Sequence, residues 1–288
     1  MRYIIVTGAN KGIGLAVVQA ILSEQPDFGV FLGSRDANRG MAAAESLLSA
    51  RPEWSGRLQV LTLDVGDDRS VREAASRLSD QLGDEPPPLH GLVNNAGLAA
   101  GSLGEILDVN LHGIRRTCAA LAPLIADGGR VVNVTSAAAP NFVAGCDAAR
   151  KAFFLDPKLS WEQLEQLMQQ CEQLGPTDLD SLGMGSDSSY GLSKACANSY
   201  TQILAREYPR LSINACTPGF IETDLGRDFL GDRSPTEAGM KTPAEGARVI
   251  LRLLFGESPG SGHYFGSDSL RSPMDRYRAP GSPAYTGE

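Results

Sequence analysis

Apolar, β-branched runs of strand length recur along the chain at residues 2–7, 29–34, 57–63, 89–94, 130–135 and 211–216. They are near-continuously apolar, the pattern of strands buried on both faces of a parallel sheet. Helical spacing fills the intervals, first over 13–23 and 38–50. Ser70-Val71-Arg72-Glu73 then predicts a capping box at the start of a third helix. This alternation predicts a single α/β domain, a Rossmann-type, doubly wound parallel sheet with helices on both faces.

After Thr135 the alternation stops. Residues 137–189 lack a strand pattern but contain Ser160-Trp161-Glu162-Gln163, a second capping box. Leu164, Leu167, Met168, Cys171 and Leu174 follow at helical spacing and predict a packing stripe. The region is read as a helical insertion, ending in a Gly-, Ser- and Asp-rich loop over 175–189 that leads into a long helix. Thr242-Pro243-Ala244-Glu245 places a cap, an N1 proline and an acidic N3 before the apolar run 249–255. Residues 1–266 are expected to form the domain. Residues 267–288, rich in Pro, Gly, Ser and Arg, are expected to form a loosely held tail.

Composition narrows the function. The 26 basic and 34 acidic residues give a net charge of −8, which argues against nucleic acid or an anionic membrane as partner. No apolar run reaches membrane-spanning length and the first residues lack a signal-peptide pattern, so a cytoplasmic protein is expected. Five scattered cysteines and three isolated histidines form no metal-ligand spacing and no disulfide framework. Glycine is in excess, 32 of 288 residues, where about 7% is usual.

Three of those glycines lie in Thr7-Gly8-Ala9-Asn10-Lys11-Gly12-Ile13-Gly14, where the first strand meets the first helix. One glycine serves the turn, one the approach of a phosphate and one the helix–strand contact, the layout of a dinucleotide-binding turn. Strand two ends Gly33-Ser34-Arg35-Asp36, with serine where an NAD-type acid is expected and arginine directly after it. A guanidinium there can pair with a 2′-phosphate, and Lys11 can reach the same anion, which favours NADP(H). The alternatives are that Arg35, Arg39 and Lys11 are solvated surface charges and that Asp36 meets the ribose. Further on, Tyr190 and Lys194 stand four apart on a helix that Ser188 or Ser189 opens. An ammonium beside a phenol is expected to lower its pKa and equip it to move a proton to or from an alcohol oxygen.

Together these motifs resemble the short-chain dehydrogenase/reductase family. Asp64-Val65 looks like its adenine contact, Asn94-Asn95-Ala96-Gly97 like its sheet-supporting motif, and Asn110 like the asparagine that holds a water beside the lysine. Ser136, closing Val131-Val132-Asn133-Val134-Thr135-Ser136, looks like the catalytic serine. Pro218-Gly219-Phe220-Ile221-Glu222-Thr223 resembles the nicotinamide-side loop. The resemblance implies a catalytic set of Ser136, Tyr190, Lys194 and Asn110. It implies a cofactor set of Gly8, Asn10, Lys11, Gly12, Ile13, Gly14, Arg35, Arg39, Asp64, Val65, Asn94, Ala96, Gly97, Tyr190, Lys194, Pro218, Gly219, Ile221 and Thr223.

Ser136 and Tyr190 are 54 positions apart, wider than the family norm. With Asn10-Lys11-Gly12-Ile13-Gly14 and the run Arg35–Gly40, this resembles the NADPH-dependent carbonyl reductases, which are mostly monomeric. An insertion before the Tyr190 helix can cover the surface through which shorter members assemble. The pattern departs from the family in two places: only 14 residues separate Asn95 from Asn110, and Thr217 stands where some carbonyl reductases carry a cysteine that contacts glutathione. The expected activity is NADPH-dependent reduction of aldehydes, ketones or quinones, with Tyr190 as proton donor and a pocket formed by the insertion and the loop after Thr223. The alternatives are a specific alcohol or steroid dehydrogenase and a non-catalytic NADP-binding scaffold.

Overall fold

The computed structural model describes residues 1–82, 89–185 and 188–287. All six expected strands form: β1 (Arg2–Val6), β2 (Phe28–Ser34), β3 (Leu58–Thr62), β4 (Leu89–Asn94), β5 (Ile125–Val134) and β6 (Ser212–Cys216). Two short strands that the sequence pattern did not reveal, β7 (Tyr264–Phe265) and β8 (Arg271–Ser272), extend one edge. The order is β3-β2-β1-β4-β5-β6-β7-β8, parallel except for the antiparallel β7–β8 pair.

Alternate residues of each strand feed opposite cores. Ile4 and Val6 join Val30, Leu32 and Val93 on one face, under α1 (Gly12–Glu24), α2 (Ala37–Ala50) and α11 (Pro243–Phe255). Ile5, Phe31, Leu92 and Val131 face the other side. There lie α3 (Asp68–Leu82), α4 (Leu103–Leu107), α5 (Gly113–Leu121) and α9 (Ser189–Glu207). Two buried faces are the reason the strands read as continuously apolar. The chain crosses the sheet between β1 and β4, so their carboxyl ends open the crevice in which such sheets bind ligands.

The insertion forms α6 (Ala138–Gly145), α7 (Ala148–Leu155) and α8 (Trp161–Leu174). Ser160 and Gln163 make the expected capping box, and Leu164, Leu167, Met168 and Cys171 are buried. Leu174, at the last turn, is 42% exposed and falls outside the stripe. Trp161 packs edge-on against His112 at 5.5 Å and Tyr200 at 5.1 Å, so α8 lies over the α5–α9 surface. The loop expected over 175–189 contains a 3₁₀ segment, Pro176–Leu182. Residues 186 and 187 of that loop lie outside the described residues. Helix α10 (Asp224–Arg227) follows the loop after β6.

Two expectations fail. The third helix starts at Asp68, not at Ser70. The Ser70 hydroxyl instead accepts the Asp64 N–H at 2.9 Å, tying the helix to the end of β3, while Asp67 accepts the Arg69 N–H at 2.9 Å. The segment 267–287, expected to be loose, is held to the body. It carries β8, and Arg278, with only 7% of its side chain exposed, is ion-paired to Asp268. A composition dense in Pro, Gly and Arg reads as solvated, but here the arginine finds a partner and is buried. Among the described residues no helix is long and apolar enough to cross a membrane.

Candidate active site

A cavity of about 980 Å³ runs along the carboxyl ends of the strands, from the turn after β1 to the C-terminal segment. At the first end the backbone is tightly specified. Gly8 and Gly12 have φ of +61° and +58°, a region that glycine occupies without strain. A Cβ on Gly14 would stand 2.5 Å from Asn95 Nδ2 and 2.7 Å from the Gly8 carbonyl oxygen. The Thr7 hydroxyl accepts the N–H groups of Asn95 and Ala96, each at 3.0 Å, and Asn95 Nδ2 donates to the carbonyls of Thr7 and Gly8 at 2.9 and 3.1 Å. Thus β1 and β4 hold the turn jointly. Helix α1 begins with no side-chain cap and no acidic residue in its first turn, which suits an anion. Gly8, Asn10, Lys11, Gly12 and Ile13 line the cavity, whereas Gly14 sits behind the turn and spaces helix from strand.

Arg35 is exposed, lines the cavity and makes no ion pair or hydrogen bond among the described residues. Asp36 is spent on capping α2: it accepts the Arg39 N–H at 3.0 Å and lies 3.7 Å from Arg39 Nε. Asp36 also lines the cavity. Lys11 lines the same cavity as Arg35 and pairs with Asp224 at 2.5 Å, both side chains largely exposed. Asp64 and Val65 line the cavity, with the Asp64 carboxylate accepting the Gly66 N–H at 3.0 Å. Ala96, Gly97, Pro218, Gly219, Ile221 and Thr223 also line it, and Thr223 caps α10 by accepting the Gly226 N–H at 3.0 Å.

Asn94, expected in the cofactor set, does not line the cavity. Its buried amide donates to Asn133 Oδ1 at 2.8 Å and accepts from Thr117 at 2.7 Å, and Asn133 donates to Thr201 at 2.9 Å. This chain joins α5, β4, β5 and α9 and accords with a sheet-supporting role.

Ser188 opens α9 by accepting the Gly191 N–H at 3.0 Å. Tyr190 and Lys194 then share one face, and the Ser136 hydroxyl lies beside the Tyr190 phenol and helps stabilise its charged form. Ser136 Oγ also accepts the Ala138 N–H at 3.1 Å. Lys194, 4% exposed, donates from Nζ to the Val134 carbonyl at 3.1 Å and lies 5.7 Å from the centre of the Tyr190 ring. Burial pushes the Lys194 ammonium down to about 8. Burial also pushes the Tyr190 phenol above its ordinary value, with the Ser136 hydroxyl opposing. The expectation that Lys194 brings this phenol toward neutrality is therefore not met here, because desolvation dominates and the ammonium sits over the ring.

Asn110 is buried in a π-helical turn, Asp108–His112, between α4 and α5, a type of helix irregularity frequent at functional sites. Its amide accepts the Leu98 N–H and donates to the Leu98 carbonyl, both at 2.8 Å, and donates to Ser193 Oγ at 2.9 Å; Ser193 in turn donates to the Tyr190 carbonyl. A Cβ on Gly97 would stand 3.1 Å from Asn110 Oδ1 and 3.4 Å from Lys194 Nζ, so that glycine admits both side chains. The short 95–110 segment keeps Asn110 in place because Ser102 starts α4 with a capping box just before the π turn.

Sequence reasoning missed several residues of the site. Thr7 and Asn95 lie inside the motifs that carry the resemblance, and their cross-strand bonding was the unread signal. Phe229 packs 5.4 Å from the Tyr190 ring. Tyr264, Tyr277, Arg278 and Pro280 also line the cavity, and nothing in their local pattern announces it. Among the described residues of the insertion only those at the start of α6 line the cavity, and α8 takes no part.

Residues 2–156 match the family model for short chain dehydrogenases. The (+)-neomenthol dehydrogenase of Arabidopsis thaliana is 31% identical, over 92% of this chain and 95% of its own length. Carbonyl reductase (NADPH) 3 of Mus musculus is 34% identical, over 88% of this chain and 91% of its own length. The structure of salutaridine reductase from Papaver somniferum superposes with a TM-score of 0.77 at 24% identity, covering 92% of this chain and 99% of that one. An NADPH-bound carbonyl reductase from chicken fatty liver gives 0.66 at 24%, covering 94% and 98%. The order of the motifs, the sheet that carries them and these relatives agree: the chain belongs to the short-chain dehydrogenase/reductase family and is carbonyl reductase-like.

Proposed function

We propose that the protein reduces aldehydes, ketones or quinones with NADPH, with Tyr190 giving the proton to the carbonyl oxygen. The observation that carries this reading is one cavity with Ser136, Tyr190 and Lys194 at one end and the glycine turn with unpaired Arg35 at the other. The similarity to the mouse carbonyl reductase and the Arabidopsis neomenthol dehydrogenase supports it.

The residues present fit the dinucleotide. The uncapped amides of α1 and the Gly8–Gly12 backbone suit a pyrophosphate, and Arg35 suits a 2′-phosphate. When bound, NADPH supplies the hydride for the carbonyl carbon. The protein's part is to hold and protonate the oxygen. A phenol whose pKa burial has raised stays protonated across the neutral range, the form a donor needs. Ser136, beside that phenol, offers a second hydroxyl where negative charge develops. Lys194 is charged below pH about 8 and favours the phenolate that remains after transfer. Asn110 acts through Ser193 and Leu98 as a positioning residue, holding the backbone beside Tyr190 and Gly97.

The test is a panel of aldehydes, ketones and quinones, with cyclic alcohols in the reverse direction, assayed with both coenzymes. NADPH oxidation that Tyr190→Phe eliminates is the expected result, and turnover indifferent to that substitution refutes the assignment. The protein acts as a cytoplasmic monomer, with α8 covering the α5–α9 surface. Light scattering should return a mass near 30.5 kDa, and twice that mass would refute the monomer.

A further inference from the structure

Seven large apolar side chains are exposed among the described residues, and only two of them, Phe229 at 47% and Tyr277 at 53%, are aromatic. Both line the same cavity, although they come from separate segments of the chain. Phe229 follows α10 and packs against the Tyr190 ring. Tyr277 belongs to the C-terminal segment, which loops back over the end of the sheet.

That loop is tied at several points. β8 pairs with β7, matching Tyr264 to Ser272. Between them the chain turns through Ser269, the one non-glycine residue at positive φ (63°) among the described residues. The Gly266 N–H donates to the Leu270 carbonyl at 2.9 Å to close the turn. Arg278 pairs with Asp268 and donates to Ser272 Oγ at 2.9 Å and to the Ser282 carbonyl at 2.6 Å, while the Gly281 N–H donates to the other Asp268 oxygen at 3.0 Å. Burial alone would raise the Asp268 carboxyl, yet Arg278 and two backbone amides hold it below its ordinary value, so the pair stays ionised at neutral pH. Tyr277, next to this latch, is thereby fixed at the cavity while its ring stays open to it. Its neighbour Arg278 donates to Ser272, which pairs with Tyr264, so Tyr277 stands at the β7–β8 end of the cavity, away from the β2 end that carries Arg35.

We infer that Tyr277 is a specificity-determining residue that, held by the Asp268–Arg278 latch, selects carbonyl compounds bearing a planar aromatic ring. Two exposed rings lining one cavity offer a flat ring system stacking or edge contacts that a short aliphatic carbonyl cannot use. The inference rests on the reading of the site as a carbonyl-reducing one.

The test compares wild type, Tyr277→Ala, Tyr277→Phe and Asp268→Asn, using NADPH with a tricyclic aromatic quinone and with a short aliphatic dione. Tyr277→Ala should raise KM for the quinone about three- to tenfold and leave kcat and the dione KM unchanged. Tyr277→Phe should restore the quinone KM, and Asp268→Asn should give the same one-sided rise by freeing the loop. Equal changes on both substrates, or none on either, overturn the inference. Calorimetric binding of the quinone to wild type and Tyr277→Ala decides the contact apart from turnover: weaker binding to the variant supports it, equal binding sinks it. A wild type that binds the quinone through Tyr277 but reduces neither compound would refute the proposed function and spare the contact.

Discussion

The end of the cavity proposed for the nucleotide is held by backbone, the end proposed for the substrate by side chains. At the first, Gly8, Gly12 and Gly14 occupy positions where φ or a contact under 3 Å excludes a side chain, and Thr7 and Asn95 bind the turn from two strands. At the second, Phe229 and Tyr277 stand on loops, one of them fixed by an arginine–aspartate latch. A site made of backbone tolerates little change, because every atom displaced there moves a strand or a helix. A site made of loop side chains can change its ligand without touching the sheet. One fold can thus keep its coenzyme while varying its substrate.

Substitutions should separate the two ends. Tyr190→Phe is expected to have the largest effect, a loss of about 10²–10⁴-fold in turnover with NADPH affinity unchanged, read by steady-state kinetics and fluorescence titration. Lys194→Met should abolish activity yet stabilise the fold by about 3 kcal/mol at pH 7 in urea unfolding, since the native ammonium titrates near 8 against an ordinary 10.5. The unfolded chain binds the proton more tightly, so the cost of burying Lys194 is full below pH 8 and fades as pH rises toward 10.5. The stabilisation should shrink over that window, and a gain that does not would refute the assigned cause. The same titration predicts that kcat/KM for reduction falls above pH about 8, as Lys194 loses its charge.

Arg35→Ala should weaken NADPH by about ten- to a hundredfold and NADH little, the loss of one charge-assisted contact of about 1.5–3 kcal/mol. Equal losses for both coenzymes would remove Arg35 from the 2′-phosphate. The smallest effect is expected for Gly14→Ala, about 1–3 kcal/mol of stability, because its Cβ would meet Asn95 and the Gly8 carbonyl. Thermal unfolding of Gly14→Ala beside Tyr277→Ala sharpens the contrast. The first should melt earlier, and the second should match wild type.

The legible part of the molecule was the part whose determinants are local. Continuous apolar runs gave away six strands, capping boxes at Ser160 and Thr242 marked two helix starts, and the glycine spacing marked the turn. The Ser70 motif misled because the same hydroxyl can serve a strand end as well as a helix start, and tertiary placement chose the strand end. The Lys11–Asp224 pair joins residues 213 positions apart, which no local pattern announces. The C-terminal segment was misread because composition carries no information about the Asp268–Arg278 pair that buries its charge.

By itself the sequence determined the sheet and the family and singled out Ser136, Tyr190 and Lys194 as the proposed catalytic set, since periodicity and motif spacing are properties of the chain. Only the tertiary structure decided that Asn94 supports the sheet while Asn95 holds the glycine turn, that Asp36 caps a helix, and that Tyr277 joins the site. Neighbouring residues on a strand point to opposite faces, and a side chain's partner is chosen by distance in space, which sequence separation does not encode.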